Sequence, residues 1–143
     1  MKLTLQEEKN HELEVIVVYS EPDNSVKRLI EQIKVFDITL PVYGEDRCYK
    51  LNISDIYYIE TVDRKVFVYT KHDVYRSDRK LYQLETELAE YGYTKVNKSC
   101  LLNIKMLKAI KNIYNSRLEA ELINGDRLNV SRMYIPKIRE ALL

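Results

Sequence analysis

Two short segments near the end of the chain combine cationic and hydrogen-bonding side chains beside an apolar residue. The first is Lys95-Val96-Asn97-Lys98-Ser99, and the second is Asn129-Val130-Ser131-Arg132. Arginine can contact guanine bidentately in the major groove and asparagine can contact adenine, while lysine, serine and backbone N–H groups bind phosphates. These residue types therefore favour contact with DNA. The alternative is that Ser131 only caps a helix and Arg132 only covers it.

The distribution of charge along the chain supports an anionic partner. The net charge of +1 conceals an excess of cations in residues 93–143, which carry ten basic and four acidic side chains. Residues 1–38 carry five and eight, and residues 39–92 carry eight and ten. A positive segment without a basic amphipathic helix and aromatic anchors favours nucleic acid over a membrane. A merely solvated basic face is the alternative.

The sequence offers little for catalysis or metal binding. His72 lies in a polar turn, and no Ser or Cys has the sequence context of an activated nucleophile. Cys48 and Cys100 are far apart and neither lies near a histidine, so a structural zinc site is not expected. Three glycines are too few for a phosphate-binding loop. We therefore predict no enzymatic activity, no metal and no cofactor, although a small hydrolase using His72 remains a third class of reading.

The 143 residues suit one domain with a short appendage. The longest apolar run, Val15–Tyr19, is far too short to cross a bilayer, and the polar start does not form a signal peptide, so we expect a cytoplasmic protein. Residues 1–38 are predicted to form a strand, Leu13–Tyr19, and then a helix capped by Asp23, Asn24 or Ser25. The sequence leaves open whether this helix packs on the main domain, on a second copy or on another protein.

The apolar stripe of this helix has the i, i+3, i+4, i+7 spacing of a packed face. Its members are Val26, Leu29, Ile30 and Ile33. A domain boundary is predicted within Asp37–Tyr43, where Pro41 interrupts the chain, which divides the protein into residues 1–38 and residues 39–143.

Residues 39–143 are predicted to be mostly β, because turn signals are closely spaced and the segments between them are rich in Tyr, Val and Ile. Asp63-Arg64 reads as a hairpin tip, Tyr114-Asn115-Ser116 as a turn, and Asn124-Gly125 as the strongest hairpin signal. The predicted strands are Arg47–Leu51, Ile56–Val62, Lys65–Thr70, Val74–Ser77, Tyr93–Val96, Cys100–Leu102, Leu107–Ile113, Arg117–Ile123 and Arg127–Val130.

One internal and one terminal helix complete the pattern. The internal helix follows the apolar spacing of Leu81, Leu84 and Leu88 and ends at Gly92, and the terminal helix begins near Ser131. Consecutive hairpins with so little helix exclude a doubly wound parallel sheet, so no receiver domain is expected. The fold class is therefore mostly β with minor α, built from short antiparallel sheets.

Residues 39–143 resemble the LytTR family of bacterial DNA-binding domains. The marks are Ile53-Ser54-Asp55-Ile56-Tyr57-Tyr58-Ile59-Glu60, the helix around Leu81–Leu88, the segment from Lys95 to Leu107, and Asn124-Gly125 followed by Leu128 to Tyr134. The resemblance implies an elongated arrangement of short antiparallel sheets. It also implies a transcription regulator that binds promoter direct repeats and inserts loop side chains into successive major grooves.

The resemblance places the DNA contacts on three loops. They are the tip Asp63-Arg64-Lys65, the loop Asn97-Lys98-Ser99 and the corner at Ser131-Arg132. In the family the middle loop usually has His-Arg before its Ser. Here it has Asn97-Lys98, which replaces a bidentate guanidinium by a point charge.

The resemblance also implies partners. Double-stranded DNA is the first, bound by two copies of the protein on a repeated site. Stand-alone members without a receiver are often encoded beside a small membrane protein, which makes a membrane-protein inhibitor a further expectation. The rival reading is a non-catalytic protein-interaction module that uses the Tyr-rich sheets as its contact surface, with the basic segment only solvated.

Overall fold

The computed structural model describes residues 1–113 and 117–142. Their α-helices are α1 (Asn24–Lys34), α2 (Leu81–Leu88) and α3 (Ile135–Ala141). Their strands are β1 (Thr39–Gly44), β2 (Arg47–Asn52), β3 (Tyr58–Val62), β4 (Lys65–Tyr69), β5 (Val74–Ser77), β6 (Tyr93–Asn97), β7 (Cys100–Asn103), β8 (Leu107–Ile113), β9 (Arg117–Leu122) and β10 (Arg127–Val130). Short 3-10 turns lie at Ile53–Asp55, Ala89–Tyr91, Ile104–Met106 and Arg132–Tyr134.

The strands form two antiparallel sheets. The large sheet has the order β2-β1-β5-β4-β3-β7-β6, and the small sheet has the order β10-β9-β8. Neighbouring strands in both sheets pair antiparallel, mostly through short hairpins. The predicted mostly β, antiparallel fold with minor α is therefore confirmed.

The predicted turns in the described residues form as their residue types require. Asp63 and Arg64 have φ angles of 51° and 66°, the pair of left-handed residues that a two-residue hairpin uses. Gly125 (φ 92°) closes the β9–β10 hairpin, and Gly92 (φ 84°) ends the helical segment before β6. The turn predicted at Tyr114-Asn115-Ser116 lies outside the described residues.

Two hydrophobic cores organise the molecule. The first lies on the large sheet and α2, with Ile59, Val68 and Leu84 completely buried. The second joins the two sheets: Tyr58, Val96 and Leu102 of the large sheet pack in one cluster with residues of the small sheet and α3. Those partners are Leu118, Ala120, Leu122, Leu128, Val130 and Ile138.

One prediction for the first 43 residues is wrong. Leu13–Tyr19 forms no strand, because no strand of the described residues pairs with it; Val15 and Ile16 are 58% and 74% exposed. A β-branched run gains strand structure only when a neighbour supplies its hydrogen bonds. Within the segment Asp37–Tyr43, where a domain boundary is predicted, β1 begins at Thr39 and continues through Pro41. Because β1 pairs with β5 only at Tyr43, the edge beside Pro41 is open and tolerates the missing N–H.

The N-terminal helix packs on the main domain. Asp23 caps α1 by accepting a hydrogen bond from the Val26 N–H at 2.9 Å, as one of the predicted caps. The apolar stripe is half-buried, and α1 contacts the 3-10 turn Ala89–Tyr91. Val35, directly after α1, is buried in the first core. Within the described residues, no helix is long and apolar enough to span a membrane.

Val35 and Phe36 provide a matched test of this packing, because Val35 is 6% exposed and Phe36 is 72% exposed. Val35→Ala should lower the free energy of unfolding by about 1–3 kcal/mol, since it removes buried methyl groups and leaves a cavity. Phe36→Ala should change it by less than about 0.5 kcal/mol. Urea denaturation of both variants checks this. Equal losses would show that the end of α1 does not pack as described.

Candidate nucleic-acid interface

Three loops lie at one end of the molecule: the tip (residues 63–65, between β3 and β4), the middle loop (residues 97–99, between β6 and β7) and the corner (residues 131–132, after β10). The register of the large sheet pairs Glu60 with Cys100, so the end of β3 lies beside the start of β7. Asn97 pairs with Cys100 across the next hairpin. The tip and the middle loop therefore project from the same end of the large sheet.

Hydrogen bonds extend this arrangement into a row of three. The Thr61 N–H donates to the Ser99 carbonyl at 2.8 Å, which fixes the middle loop against the strand that leads to the tip. The Ser131 N–H donates to the Val96 carbonyl at 2.8 Å, which fixes the corner against the other side of the middle loop. The order is thus tip, middle loop, corner.

The middle loop is a compact turn organised by the Asn97 amide. Its Oδ1 accepts from the Ser99 N–H at 2.9 Å and from the Ser99 hydroxyl at 3.0 Å. Its Nδ2 donates to the carbonyl of Asn129 on β10 at 2.9 Å. Asparagine favours such turns because its side chain mimics the backbone. Lys98, at the outermost point of the turn, is exposed.

The corner presents Arg132 on a supported backbone. Ser131 is extended and precedes the 3-10 turn Arg132–Tyr134, but its hydroxyl makes no capping hydrogen bond, contrary to the prediction. The chain first passes through this 3-10 turn, so Ser131 does not immediately precede an α-helix. Instead α3 begins at Ile135 with Pro136 in its first turn. Ile138 is completely buried in the second core and holds α3 in place, while Arg132 is exposed.

The cations of the three loops form no ion pair with the described residues, unlike some cations of the small sheet. On the small sheet, Glu119 approaches Arg127 at 3.7 Å and Glu121 approaches Lys108 at 3.8 Å. Arg64, Lys65, Lys98 and Arg132 are exposed and make no salt bridge with any other described residue. Two acidic side chains of the basic segment are therefore engaged away from the loops, which leaves the loop cations available to an anionic ligand.

The buried thiol of Cys100, which directly follows the middle loop, is unreactive. Cys100 is 1% exposed, and burial, with a smaller effect of Glu60, raises the pKa of its thiol to about 12. The thiol is therefore protonated at neutral pH and is not a nucleophile. His72 is exposed in the turn between β4 and β5, as predicted. Within residues 1–113 and 117–142, no three His, Cys, Asp or Glu side chains are grouped to hold a metal ion.

The structure thus brings together all seven residues that the sequence singled out. They are Arg64, Lys65, Asn97, Lys98, Ser99, Ser131 and Arg132. Sequence reasoning missed Thr61 and underestimated Val96 and Asn129, which position the loops through backbone N–H and carbonyl groups. Because all residue types carry the carbonyl and all except proline carry the N–H, only the strand register could have indicated them.

Comparisons with known proteins identify relatives of this chain. The family model described as LytTr DNA-binding domain matches residues 46–143. The chain is 30% identical over 103 residues to the sensory transduction protein LytT of Enterococcus faecalis, covering 72% of this chain and 43% of that protein. It is 23% identical over 121 residues to the transcriptional regulatory protein LytR of Staphylococcus aureus, covering 84% and 49%. The chain therefore spans about half the length of these curated relatives, or less.

A solved structure shares the fold. It is the LytTr DNA-binding domain of a putative methyl-accepting/DNA response regulator from Bacillus cereus, with a TM-score of 0.66 and 23% sequence identity. The match covers 73% of this chain and 95% of that one.

The backbone of Arg64 provides a test of the tip. A non-glycine residue in the left-handed region costs about 1–2 kcal/mol, and glycine is the usual residue at this position of such a hairpin. Arg64→Gly should therefore raise the free energy of unfolding by about 1 kcal/mol. Lys65→Gly, one residue later in β4, should lower it by about 0.5–1 kcal/mol. Chemical denaturation measures both, and destabilisation by Arg64→Gly would contradict the turn geometry.

Proposed function

The chain belongs to the LytTR family of DNA-binding domains, and we propose that it is a transcription regulator that binds double-stranded promoter DNA with its row of three loops. The observation that carries the proposal is the alignment of four exposed cations, free of ion pairs with described residues, on three hydrogen-bonded loops at one end of the molecule. An anionic polymer can engage such a row simultaneously, whereas a small ligand would engage only one loop.

The three loops supply different contacts. Lys98 and Lys65 are flexible point charges suited to phosphates, and the Ser131 hydroxyl can donate a hydrogen bond to a phosphate oxygen. The Ser99 O–H is already donated to the Asn97 amide oxygen, so Ser99 shapes the middle loop that carries Lys98. Arg132 has a planar guanidinium on a short turn supported by the second core, which suits bidentate contact with guanine. Arg64, on the tight tip, is the second arginine that can reach a base edge. The proposal assigns phosphate holding to the lysines and base reading to the arginines.

The wider proposal follows the family. The loops enter the major groove at promoter direct repeats, two copies of the protein occupy one repeated site, and the protein acts in the cytoplasm without enzymatic activity or cofactor. Residues 39–143 form the DNA-binding domain, and residues 1–38 form an extension that can contact a second copy or a small membrane-protein inhibitor.

DNA affinity should fall steeply with salt if the row of cations binds phosphates. Each phosphate neutralised contributes about 0.9 to the slope of log affinity against log salt concentration, so the two phosphate-binding lysines, Lys65 and Lys98, should give a slope of about −2 for each bound copy. Fluorescence anisotropy with a labelled duplex measures this slope, and selection from a random duplex pool supplies the preferred sequence. No binding, or binding that is insensitive to salt, would favour the protein-interaction module.

Substitutions should separate base reading from phosphate holding. Arg132→Ala should weaken the selected duplex by about 1–3 kcal/mol and relax discrimination at one or two base pairs, whereas Lys98→Ala should weaken all duplexes evenly and reduce the salt slope by about 1. Arg28→Ala and Lys34→Ala, on α1, remove the same charges far from the loops and should have little effect. Competition binding between the selected and a scrambled duplex measures the affinity of each variant for both. Equal losses on both duplexes for Arg132→Ala would make Arg132 a phosphate contact and shift base reading to Arg64.

A further inference from the structure

We propose that Asn97 is a positioning residue that holds the middle loop and the corner in one fixed arrangement, and that it does not itself read a base. This inference rests on the proposed function. Asn97 is the middle-loop residue whose amide could pair with adenine. Its proposed role differs from phosphate contact by Lys98 and base contact by Arg132.

The hydrogen-bonding capacity of the Asn97 amide is nearly used up within the protein. Its oxygen has two lone pairs, and these accept the N–H and the hydroxyl of Ser99 at 2.9 and 3.0 Å. One of its two N–H donors is bound to the Asn129 carbonyl at 2.9 Å. Bidentate reading of adenine requires both a free acceptor and a free donor on the same amide. Asn97 could supply that pair only by abandoning the bonds that shape its own loop.

The same amide connects elements that belong to different sheets. The middle loop joins β6 to β7 in the large sheet, whereas Asn129 lies on β10 of the small sheet, two residues before the corner begins. The other two links of the row, Thr61 to Ser99 and Ser131 to Val96, join backbone groups and survive any side-chain substitution that leaves the fold intact. The link from Asn97 to Asn129 depends on a side chain, so it can be removed selectively.

Loss of this link should therefore loosen the corner relative to the middle loop without detaching it. The Ser131 bond would still hold the corner near Val96, and β10 would stay paired with β9, but the side-chain bond that orients the Asn129 carbonyl relative to the middle loop would be lost. A bidentate contact tolerates little misplacement, whereas a phosphate contact by a flexible lysine tolerates more. The expected consequence is a loss of base discrimination by Arg132 with a smaller loss of general affinity.

A double-mutant cycle between Asn97 and Arg132 tests the inference. The probes are the duplex selected by the wild-type protein and a panel of its single-base-pair variants. Asn97→Ala should reduce discrimination about 5- to 30-fold, at the same base pairs that Arg132→Ala affects. The double variant should discriminate no worse than Arg132→Ala alone, because positioning has no effect once the positioned side chain is absent.

A second variant separates positioning of the corner from simple integrity of the loop. Asn97→Ser retains a side-chain oxygen that can support a turn but is too short to reach Asn129. It should melt close to the wild-type temperature and discriminate as poorly as Asn97→Ala. Gln32→Ala, which removes an exposed amide from α1 far from the loops, is the matched control and should behave as wild type in both measurements.

Three outcomes would overturn the inference. Additive effects, with Asn97→Ala relaxing a base pair that Arg132→Ala leaves unchanged, would make Asn97 a base reader. Full discrimination by Asn97→Ser would show that the link to Asn129 is dispensable. A wild-type protein that selects no sequence would overturn the proposed function, and this inference with it, before any variant is compared.

Discussion

The hydrophobic contact between the two sheets is the constraint on which the candidate interface depends. The tip and the middle loop belong to the large sheet, whereas the corner follows β10 of the small sheet. The second core, where Val96 and Leu102 pack with Leu118 and Val130, places the corner beside the two loops of the large sheet. Several of its side chains are completely buried, and each such Leu or Ile contributes about 1.5–3 kcal/mol through burial. The position of Arg132 is therefore a consequence of apolar packing.

Polar contacts at both ends of β10 refine this nondirectional packing. Before β10, Asp126 accepts a hydrogen bond from the Tyr58 hydroxyl at 3.3 Å, and Tyr58 stacks on Tyr69 with ring centroids 4.3 Å apart. Burial raises the pKa of Tyr58, so its hydroxyl remains a donor. At the other end of β10, the Asn129 carbonyl accepts from Asn97. Hydrophobic contact brings the sheets together, and these directional bonds at two separated points restrict sliding and rotation between them.

Sequence reasoning succeeded where structure is determined locally. Asp63-Arg64 and Asn124-Gly125 are two-residue turn signals, and Gly92 ends a helical segment, so each could be placed from its own residue types. Sequence reasoning failed where the local structure depends on pairing with a strand that is distant in the sequence. The β-branched run at residues 13–19 lacks a partner strand among the described residues. Pro41 is tolerated within β1 because β5 pairs with β1 only at Tyr43, which leaves the backbone at Pro41 unpaired on that side. Residue types alone indicated five of the seven site residues, and the family resemblance added Arg64 and Lys65. The bonds that align their loops depend on sheet register, which no local pattern reveals.

The N-terminal helix lies at the opposite end of β6 from the loops, and its position suits the charge distribution. It contacts the 3-10 turn at Ala89–Tyr91, and the Glu31 carboxylate lies 3.3 Å from where a side chain on Gly92 would begin. A side chain at residue 92 would therefore meet Glu31 as well as straining the positive φ. Residues 1–38 carry more acidic than basic side chains, and acidic groups beside the loops would repel phosphates. Docking α1 at the far end half-buries its apolar stripe while keeping the carboxylate of Glu31 away from the loop cations.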